Sequence, residues 1–243
     1  MEKMDARNEK TRYTGSVRDV AVLVAVGVNP GHPREVLGTS VSLSEAEVHW
    51  REFLQSLVKR GLHGVKLIIS DDHIGLKAAR QKVFTSIPWQ RCQFHMQQNV
   101  QHYVPRVSMR KELASVMRGI FNAPNIDMAK ELVSRAVERY HKTAPDFVKW
   151  LEENIDDGLT FFQFPAVHHR RIRTNNAVEK LSQEIKRRTR VARLFPNVES
   201  CLRLVSAILA EINDDWVSGR MYLSKEIVKT ECPESRNYRK IVA

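Results

Sequence analysis

Acidic residues at three places in the chain have the chemistry and the setting that metal-dependent catalysis requires. Asp71 and Asp72 directly follow the apolar residues 65–70, where we expect a buried strand to end. Glu179 stands near the start of a predicted helix, and Asp5 lies in a polar strand candidate. Ligands and metals gather at the carboxyl ends of strands in open α/β sheets. Each acid also has a plain structural explanation, which is helix capping for the later ones and solvation for the first.

Three carboxylates on one fold suit a pair of Mg²⁺ ions, with Mn²⁺ as a substitute. Mg²⁺ prefers hard oxygen ligands, keeps several waters and shares phosphate oxygens of a substrate. Two such ions about 3.5–4 Å apart can activate a hydroxyl group and stabilise the leaving oxygen in line. The set of Asp5, Asp71 and Glu179 therefore indicates phosphoryl transfer as a candidate chemistry.

Hydrophobic spacing predicts the elements that must position these acids. A Val-rich run at 19–28 and a β-rich run at 34–41 flank an Asn-Pro-Gly turn, which predicts a hairpin. A weaker strand precedes them at 3–12, and Ser44 with Glu47 predicts a capping box for the first helix. Strands and helices then alternate as far as Pro105. The order β-β-β-α-β-α-β-α predicts an α/β fold with a mixed five-stranded sheet.

Residues 106–165 break this alternation. Apolar side chains recur there at helical spacing in three stripes, which predicts an all-helical insertion. Two further helices are predicted near 176–190, with Asn176 as N-cap, and near 197–216. The predicted units are a core made of residues 1–105 and 166–224, the insertion, and a loosely ordered tail at 225–243.

Charge favours nucleic acid as the partner. Thirty-nine Lys and Arg against 28 Asp and Glu give a net charge of +11 and a pI near 9.8. Residues 170–193 hold nine basic and two acidic side chains, a net charge of +7 in this segment. Such one-sided clusters are typical of proteins that bind phosphate backbones.

Composition excludes several other classes of protein. The chain is 42% hydrophobic and 28% charged, as in ordinary soluble domains. Its longest runs without an acidic or basic residue have 14 residues, fewer than the roughly 20 apolar residues of a membrane span. Three scattered cysteines are too few for a disulfide framework, so we expect a cytoplasmic protein without membrane association.

Several segments, in order, match the motifs of one known family. The chain has Asp5-Ala6-Arg7-Asn8-Glu9-Lys10-Thr11-Arg12 where the family has Asp-Ala-x-Tyr-x-Lys-Val-Arg. It has Ser70-Asp71-Asp72-His73-Ile74-Gly75-Leu76-Lys77-Ala78-Ala79 where the family has Ser-Asp-x-His-x-Gly-Leu-Lys-Ala-Ala. The other matches are Val36-Leu37-Gly38, Trp50-Arg51-Glu52-Phe53-Leu54, the Cys-x-x-His signature in 89–95, and the segments 174–179, 184–191 and 195–197. From Asp5 to about Ser224, the chain resembles the catalytic region of a bacterial Mutator-family insertion-sequence transposase.

The resemblance implies a ribonuclease H-like fold with an Asp-Asp-Glu triad that holds two Mg²⁺ ions. Carried over to this chain, the triad is Asp5, Asp71 and Glu179. Asp72 fills a slot that varies in the family, and Glu184 is the fallback third acid. Glu184 is five residues from Glu179, or about 140° around a helix, so both are not expected to face one metal pair.

The resemblance also implies the reaction and the partners. A water molecule cleaves the phosphodiester at an element end, and the freed 3′-hydroxyl attacks target DNA. The expected partners are transposon ends, target DNA and further copies of the chain assembled on DNA, in the nucleoid. Phosphate contacts are expected from the basic residues Lys186, Arg187, Arg188, Arg190 and Arg193.

Cys92 and His95 leave three interpretations open. A zinc site normally has four ligands, and the sequence offers no second pair at suitable spacing. A buried structural pair near the active site is favoured over zinc and over a contact with the DNA strand. His73 is expected to support Asp71 or to contact DNA rather than to bind a metal.

Two departures from the family favour a less complete enzyme. Asn8 and Thr11 replace an aromatic residue and a Val, which predicts a weakened first strand. The family has an end-recognising region before the first Asp, whereas four residues precede Asp5 here, which predicts a shortened copy. The alternatives are an inactive remnant that only binds DNA, and a structure-specific ribonuclease H-like nuclease that fits the triad but not the other motifs.

Overall fold

A mixed five-stranded sheet forms the centre of the protein. A computed structural model describes residues 1–29 and 31–219. The sheet has the strand order β3-β2-β1-β4-β5, in which β1 pairs antiparallel with β2 and parallel with β4. The predicted α/β class, the mixed five-stranded sheet and the order of its elements are confirmed. The strands are β1 (Glu2–Tyr13), β2 (Ser16–Val28), β3 (Arg34–Ser42), β4 (Ile68–Ser70) and β5 (Trp89–Arg91).

Helices surround this sheet and account for all regular structure in residues 106–165. The helices are α1 (Glu47–Lys59), α2 (Ile74–Val83), α3 (Gln93–Asn99), α4 (Arg110–Phe121), α5 (Ile126–Tyr140), α6 (Pro145–Asn154), α7 (Ala166–Ile172), α8 (Asn176–Thr189) and α9 (Val198–Val217). In the described part of the chain, none of them is long and apolar enough to cross a membrane. The predicted tail at 225–243 lies outside the described residues.

Strand β1 occupies the middle of the sheet, and the expectation that it is weak is wrong. It pairs with β2 along its whole length, from Glu2 to Tyr13. The tight turn that follows has Thr14 and Gly15 with φ angles of 46° and 81°, the left-handed geometry of a type I′ hairpin. Thr11, one of the two polar residues behind the expectation, is fully buried. The polarity of β1 reflects contacts with a helix, described below, and not fraying.

The Val-rich strand β2 is buried on both faces. Its odd-numbered residues Ala21, Leu23 and Ala25 pack with α1 and α2, in a cluster that includes Trp50 and Leu76. Its even-numbered residues pack with α8 and α9 in a second cluster, whose members include Val22, Val24, Val26, Val178 and Val205. Because successive side chains of a strand point to opposite faces, a continuous apolar run is what a central strand between two helical layers requires.

Two predicted helix caps are wrong. Helix α1 begins after Ala46, and the Ser44 hydroxyl accepts a hydrogen bond of 3.4 Å from the backbone N–H of Ala46 instead of capping the helix at Glu47. Helix α8 has Asn175, not Asn176, as its N-cap residue, and no side chain caps it. The side-chain amide of Asn175 donates a hydrogen bond to the Met4 carbonyl of β1 and so does not cap the helix.

The all-helical segment is joined to the sheet through buried amides. Gln90 on β5 donates a 2.9 Å hydrogen bond to the Gly158 carbonyl and accepts one of 2.7 Å from the Phe161 N–H. Gln93 donates a second bond, also 2.9 Å, to the same carbonyl. A Cβ atom at Gly158 would lie 2.5 Å from the Met96 sulfur, so a larger residue there would require the Met96 side chain to move.

Candidate active site

Asp5 and Asp71 meet where β1 and β4 run side by side. The two strands are parallel, with Lys3 opposite Ile69, and continuing this register by two residues brings Asp5 level with Asp71. The pKa of Asp5 is raised to about 7, first because its carboxyl group is buried and second because the negative charge of Asp71 is close. The structure therefore brings these two predicted site residues together.

Helix α8 lies against the polar face of β1. The Ser182 hydroxyl donates a 3.2 Å hydrogen bond to Asp5 Oδ2, and the Arg7 guanidinium donates one of 3.1 Å to the Ser182 carbonyl. Further along, the Thr189 hydroxyl donates a 2.9 Å bond to Glu9 Oε1. Asp5, Arg7 and Glu9, which alternate along one face of β1, thus contact α8, and this explains why that face of the strand is polar.

The segment that leads into α8 is fixed to the same strand. The buried Lys3 amine donates hydrogen bonds of 2.7 Å and 2.6 Å to the carbonyls of Arg171 and Thr174. The Asn175 amide donates a 2.8 Å bond to the Met4 carbonyl. Burial lowers the pKa of Lys3 to about 8. These bonds determine where α8 begins, and therefore where the acid in its first turn can lie.

That acid, Glu179, lies beside the Cys-x-x-His pair. The Cys92 thiol is 3.8 Å from Glu179 Oε1, and His95 Nε2 is 3.9 Å from the same oxygen. Cys92 is fully buried and accepts a 3.3 Å hydrogen bond from the Asn175 N–H, so it also holds the start of α8. The imidazole of His95 also lowers the pKa of Asp5, which puts His95 within electrostatic reach of both Asp5 and Glu179.

Comparison with known proteins assigns the chain to a family. The family described as "Transposase, Mutator family" matches residues 3–219. The chain belongs to the Mutator family of transposases. It is 52% identical over 221 residues to the transposase for insertion sequence element IS406 of Burkholderia multivorans, covering 91% of this chain and 57% of that protein.

Two further relatives are also transposases of insertion sequence elements. The transposase for element ISRM5 of Rhizobium meliloti is 38% identical, over 92% of this chain and 56% of the relative. The transposase for element IS256 in transposon Tn4001 of Staphylococcus aureus is 34% identical, over 88% of this chain and 55% of the relative. The chain thus spans a little over half the length of these relatives.

The two neighbouring aspartates after β4 have different surroundings. Asp72 accepts a hydrogen bond of 3.2 Å from the Lys77 amine and forms an ion pair of 3.1 Å with Arg91. The negative charge of Asp71 instead contributes, after burial, to the raised pKa of Asp5. Asp71 Oδ1 also accepts a 3.4 Å hydrogen bond from the backbone N–H of His73. The carboxylate of Asp72 is thus bound by two cations of the protein itself, one on α2 and one on β5.

Glu184, the fallback acid, is bound to the cations of its own helix. It pairs with Arg187 at 2.6 Å and with Arg188 at 2.8 Å, and these bonds lower its pKa to about 2. Arg188 also pairs with Glu211 of α9. The charges of Arg187 and Arg188 are therefore partly neutralised within the protein. The other predicted phosphate-binding residues are exposed, namely Lys186, Arg190 and Arg193.

One acid near the site was missed by sequence reasoning. Glu45, before α1, pairs with His73 at 3.6 Å, and its pKa is raised first by burial and to a lesser degree by the negative charge of Asp71. His73 contacts Asp71 through its backbone and Glu45 through its ring. The signal in the sequence was Gly75, because a Cβ there would lie 2.0 Å from the Glu45 carbonyl oxygen. A motif glycine of this kind marks a close backbone approach.

The donor set of Asp5 and Asp71 fits a divalent cation. The carboxylate of Asp5 lies close to that of Asp71, and its pKa is raised first by burial and second by repulsion from the negative charge of Asp71. A bound cation offsets such repulsion and reverses the local effect on pKa. Oxygen ligands of this kind are those that Mg²⁺ and Mn²⁺ prefer.

Replacing Asp5 with Asn tests this repulsion. The folded-state pKa of about 7 lies above the ordinary 3.8, so the native state binds the extra proton and loses stability as pH rises between these values. Asp5→Asn should therefore raise Tm relative to the parent chain at pH 8 in EDTA, and much less at pH 4.5. Each kcal/mol corresponds to about 2–4 °C at this size. The measurement is thermal denaturation, and the control is Asp19→Asn at an exposed position. A change in Tm that is the same at both pH values would contradict the raised pKa of Asp5.

Replacing Gly75 with Ala tests the close approach at Glu45. The new methyl group would overlap a backbone oxygen, and overpacking of this kind costs about 1–3 kcal/mol. The matched control is Gly119→Ala on α4, where no atom lies within 4 Å of the added Cβ. That change should stabilise the helix by about 0.5–1 kcal/mol. Urea denaturation measures both, and an equal response of the two variants would refute the steric argument.

Proposed function

We propose that this chain is the catalytic region of a DNA transposase that cuts and joins DNA by metal-dependent phosphoryl transfer. The observation that carries the proposal is the placement of Asp5 on the central strand beside Asp71, in a chain that belongs to the Mutator family. The sheet, with three antiparallel strands followed by two parallel ones, supports a ribonuclease H-like fold. A remnant that only binds DNA is not favoured, because β1 is a full central strand.

Asp5, Asp71 and Glu179 are the residues that would hold two Mg²⁺ ions. Bound there, the ions would help to deprotonate the attacking hydroxyl group and would stabilise the leaving oxygen. The contribution of the protein is to hold these carboxylates in position. Ser182 orients Asp5 through its hydrogen bond, and the bonds from Lys3 and Asn175 to their backbone partners keep Glu179 in place. Such positioning matters because about 1 Å of misplacement can cost on the order of 100-fold in rate.

The exposed basic side chains at the end of α8 would bind the phosphate backbone. Lys186 and Arg190 are exposed, and neither is in the ion pairs that neutralise Arg187 and Arg188. Phosphate contacts fix the register of DNA without reading its sequence. The substrates would be transposon ends and target DNA, handled by several copies of the chain in the cytoplasm at the nucleoid.

A nicking assay tests the chemistry. Supercoiled plasmid is incubated with the chain and Mn²⁺ or Mg²⁺, and the nicked fraction is followed with time. Asp71→Asn should lower the rate by at least about 100-fold, because it removes a charged metal ligand and keeps the shape. The matched control is the adjacent Asp72→Asn, which should retain nicking if it keeps its Tm. Equal loss in two folded variants would contradict the choice of Asp71.

The salt dependence of DNA binding tests the surface. Replacing Lys186 and Arg190 with Ala should reduce the log–log salt slope by about 2, since each lost phosphate contact removes about 1. Replacing Arg187 and Arg188 with Ala should reduce it less, because Glu184 and Glu211 already neutralise part of their charge. Fluorescence anisotropy with a duplex of random sequence gives both slopes. A larger effect from the second pair would mean that those ion pairs open on DNA.

A further inference from the structure

We propose that Cys92, His95 and Glu179 form a site for a thiophilic divalent cation such as Zn²⁺, and that an ion bound there withdraws Glu179 from the Mg²⁺ centre. The sequence offered only a Cys and a His, too few for such a site, and the structure supplies the third ligand from helix α8. One ligand atom from each of the three residues lies within 4.8 Å of the others. The inhibitory part rests on the proposed function, whereas the binding part does not.

The donor set selects the kind of metal. Thiolate and imidazole ligands favour Zn²⁺ and Co²⁺ over Mg²⁺, which takes oxygen ligands. Zinc sites with three protein ligands keep a fourth position for water. A thiolate and a carboxylate together carry two negative charges, which a divalent ion neutralises. Coordination releases the thiol proton of Cys92 to water.

The geometry needs only a small contraction. Zinc bonds of about 2.0–2.3 Å in tetrahedral geometry set ligand atoms about 3.3–3.7 Å apart. Glu179 Oε1 lies 3.8 Å from the Cys92 sulfur and 3.9 Å from His95 Nε2. His95 and Glu179 are partly exposed and can move inward, while Cys92 is fixed in the core. The Asn175 N–H already points at the sulfur and would stabilise the thiolate.

The ring of His95 offers a further sign of an unfilled interaction. Its Nδ1 atom is buried and has no hydrogen-bond partner among the described residues. Buried polar atoms without a partner are uncommon in proteins and often mark a place where an ion or water binds. Nε2, the ring nitrogen that lies 3.9 Å from Glu179 Oε1, is the atom that would coordinate the ion, and Nδ1 would then carry the ring proton.

Glu179 is the residue that two metals would compete for. Turned towards Asp5 and Asp71, it completes an all-oxygen set; turned towards Cys92 and His95, it completes a set with sulfur and nitrogen. One carboxylate cannot adopt both positions. Zn²⁺ in the second set therefore lowers the population of molecules that can assemble the first, which is competition through a shared ligand and not replacement of Mg²⁺.

Cobalt spectroscopy tests the binding site. Co²⁺ is added to the chain carrying Cys232→Ser, a change outside the described residues that removes a competing thiol. We expect a thiolate-to-cobalt charge-transfer band at one equivalent. The band should vanish in Cys92→Ser. The affinity for Co²⁺ should fall at least 10-fold in His95→Ala and in Glu179→Gln. The band should persist in Cys201→Ser, which changes the other buried free cysteine. No band in the folded parent, or a band that survives Cys92→Ser, would overturn the proposal.

Zinc inhibition of nicking tests the consequence. The ratio of rates with and without Zn²⁺, at fixed Mg²⁺, is measured for the parent and for each variant. The zinc concentration for half inhibition should rise at least 10-fold in Cys92→Ser. Equal zinc sensitivity of Cys92→Ser and the parent would mean that Zn²⁺ acts by displacing Mg²⁺, and the inhibitory role would be wrong. A parent that never nicks DNA would refute the proposed function, while the cobalt result would still decide the site.

Discussion

The polar face of β1 is the constraint on which the site depends. A central strand normally buries apolar side chains on both faces, yet Lys3, Asp5, Arg7 and Glu9 alternate along one face of this strand. Their partners are the hydroxyls and carbonyls of α8 and of the turn before it. The strand and the helix therefore hold each other in register through hydrogen bonds, while apolar residues around them supply the driving force for burial.

This arrangement keeps a buried charge where an apolar side chain would be more stable. Asp5 lies beside Asp71, and the Lys3 amine is fully enclosed. Buried charges cost free energy unless hydrogen bonds or counter-ions satisfy them. Sites that hold charge ready for a substrate or metal commonly lower the stability of the apo protein. The extensive pairing of β1 with β2 is what allows the sheet to carry these charges at its centre.

The sequence predicted the parts of the fold that local pattern determines. The Val-rich β2, the hairpin and the acid after β4 follow from composition and spacing. The strand at 3–12 was predicted within one residue at each end, but its firm place in the middle of the sheet was not, because α8, more than 160 residues away in the chain, satisfies its polar residues. The cap expected at Asn176 failed because helix α8 begins one residue earlier and the Asn175 amide bonds to β1 instead of capping the helix. Glu45 was missed because Gly75 indicates a close backbone approach but does not indicate which residue makes it.

The core of the helical segment includes residues of the sheet itself. Ile69, two residues before Asp71, packs with Met117, Phe147 and Leu151 of that segment, while its neighbour Ile68 faces the opposite layer. A segment that shares its hydrophobic core with a strand unfolds with that strand and not before it. Slow hydrogen exchange would then extend across the helical segment and β4 as one cooperative unit. A change that destabilises these helices would therefore also destabilise β4 and displace the aspartates that follow it.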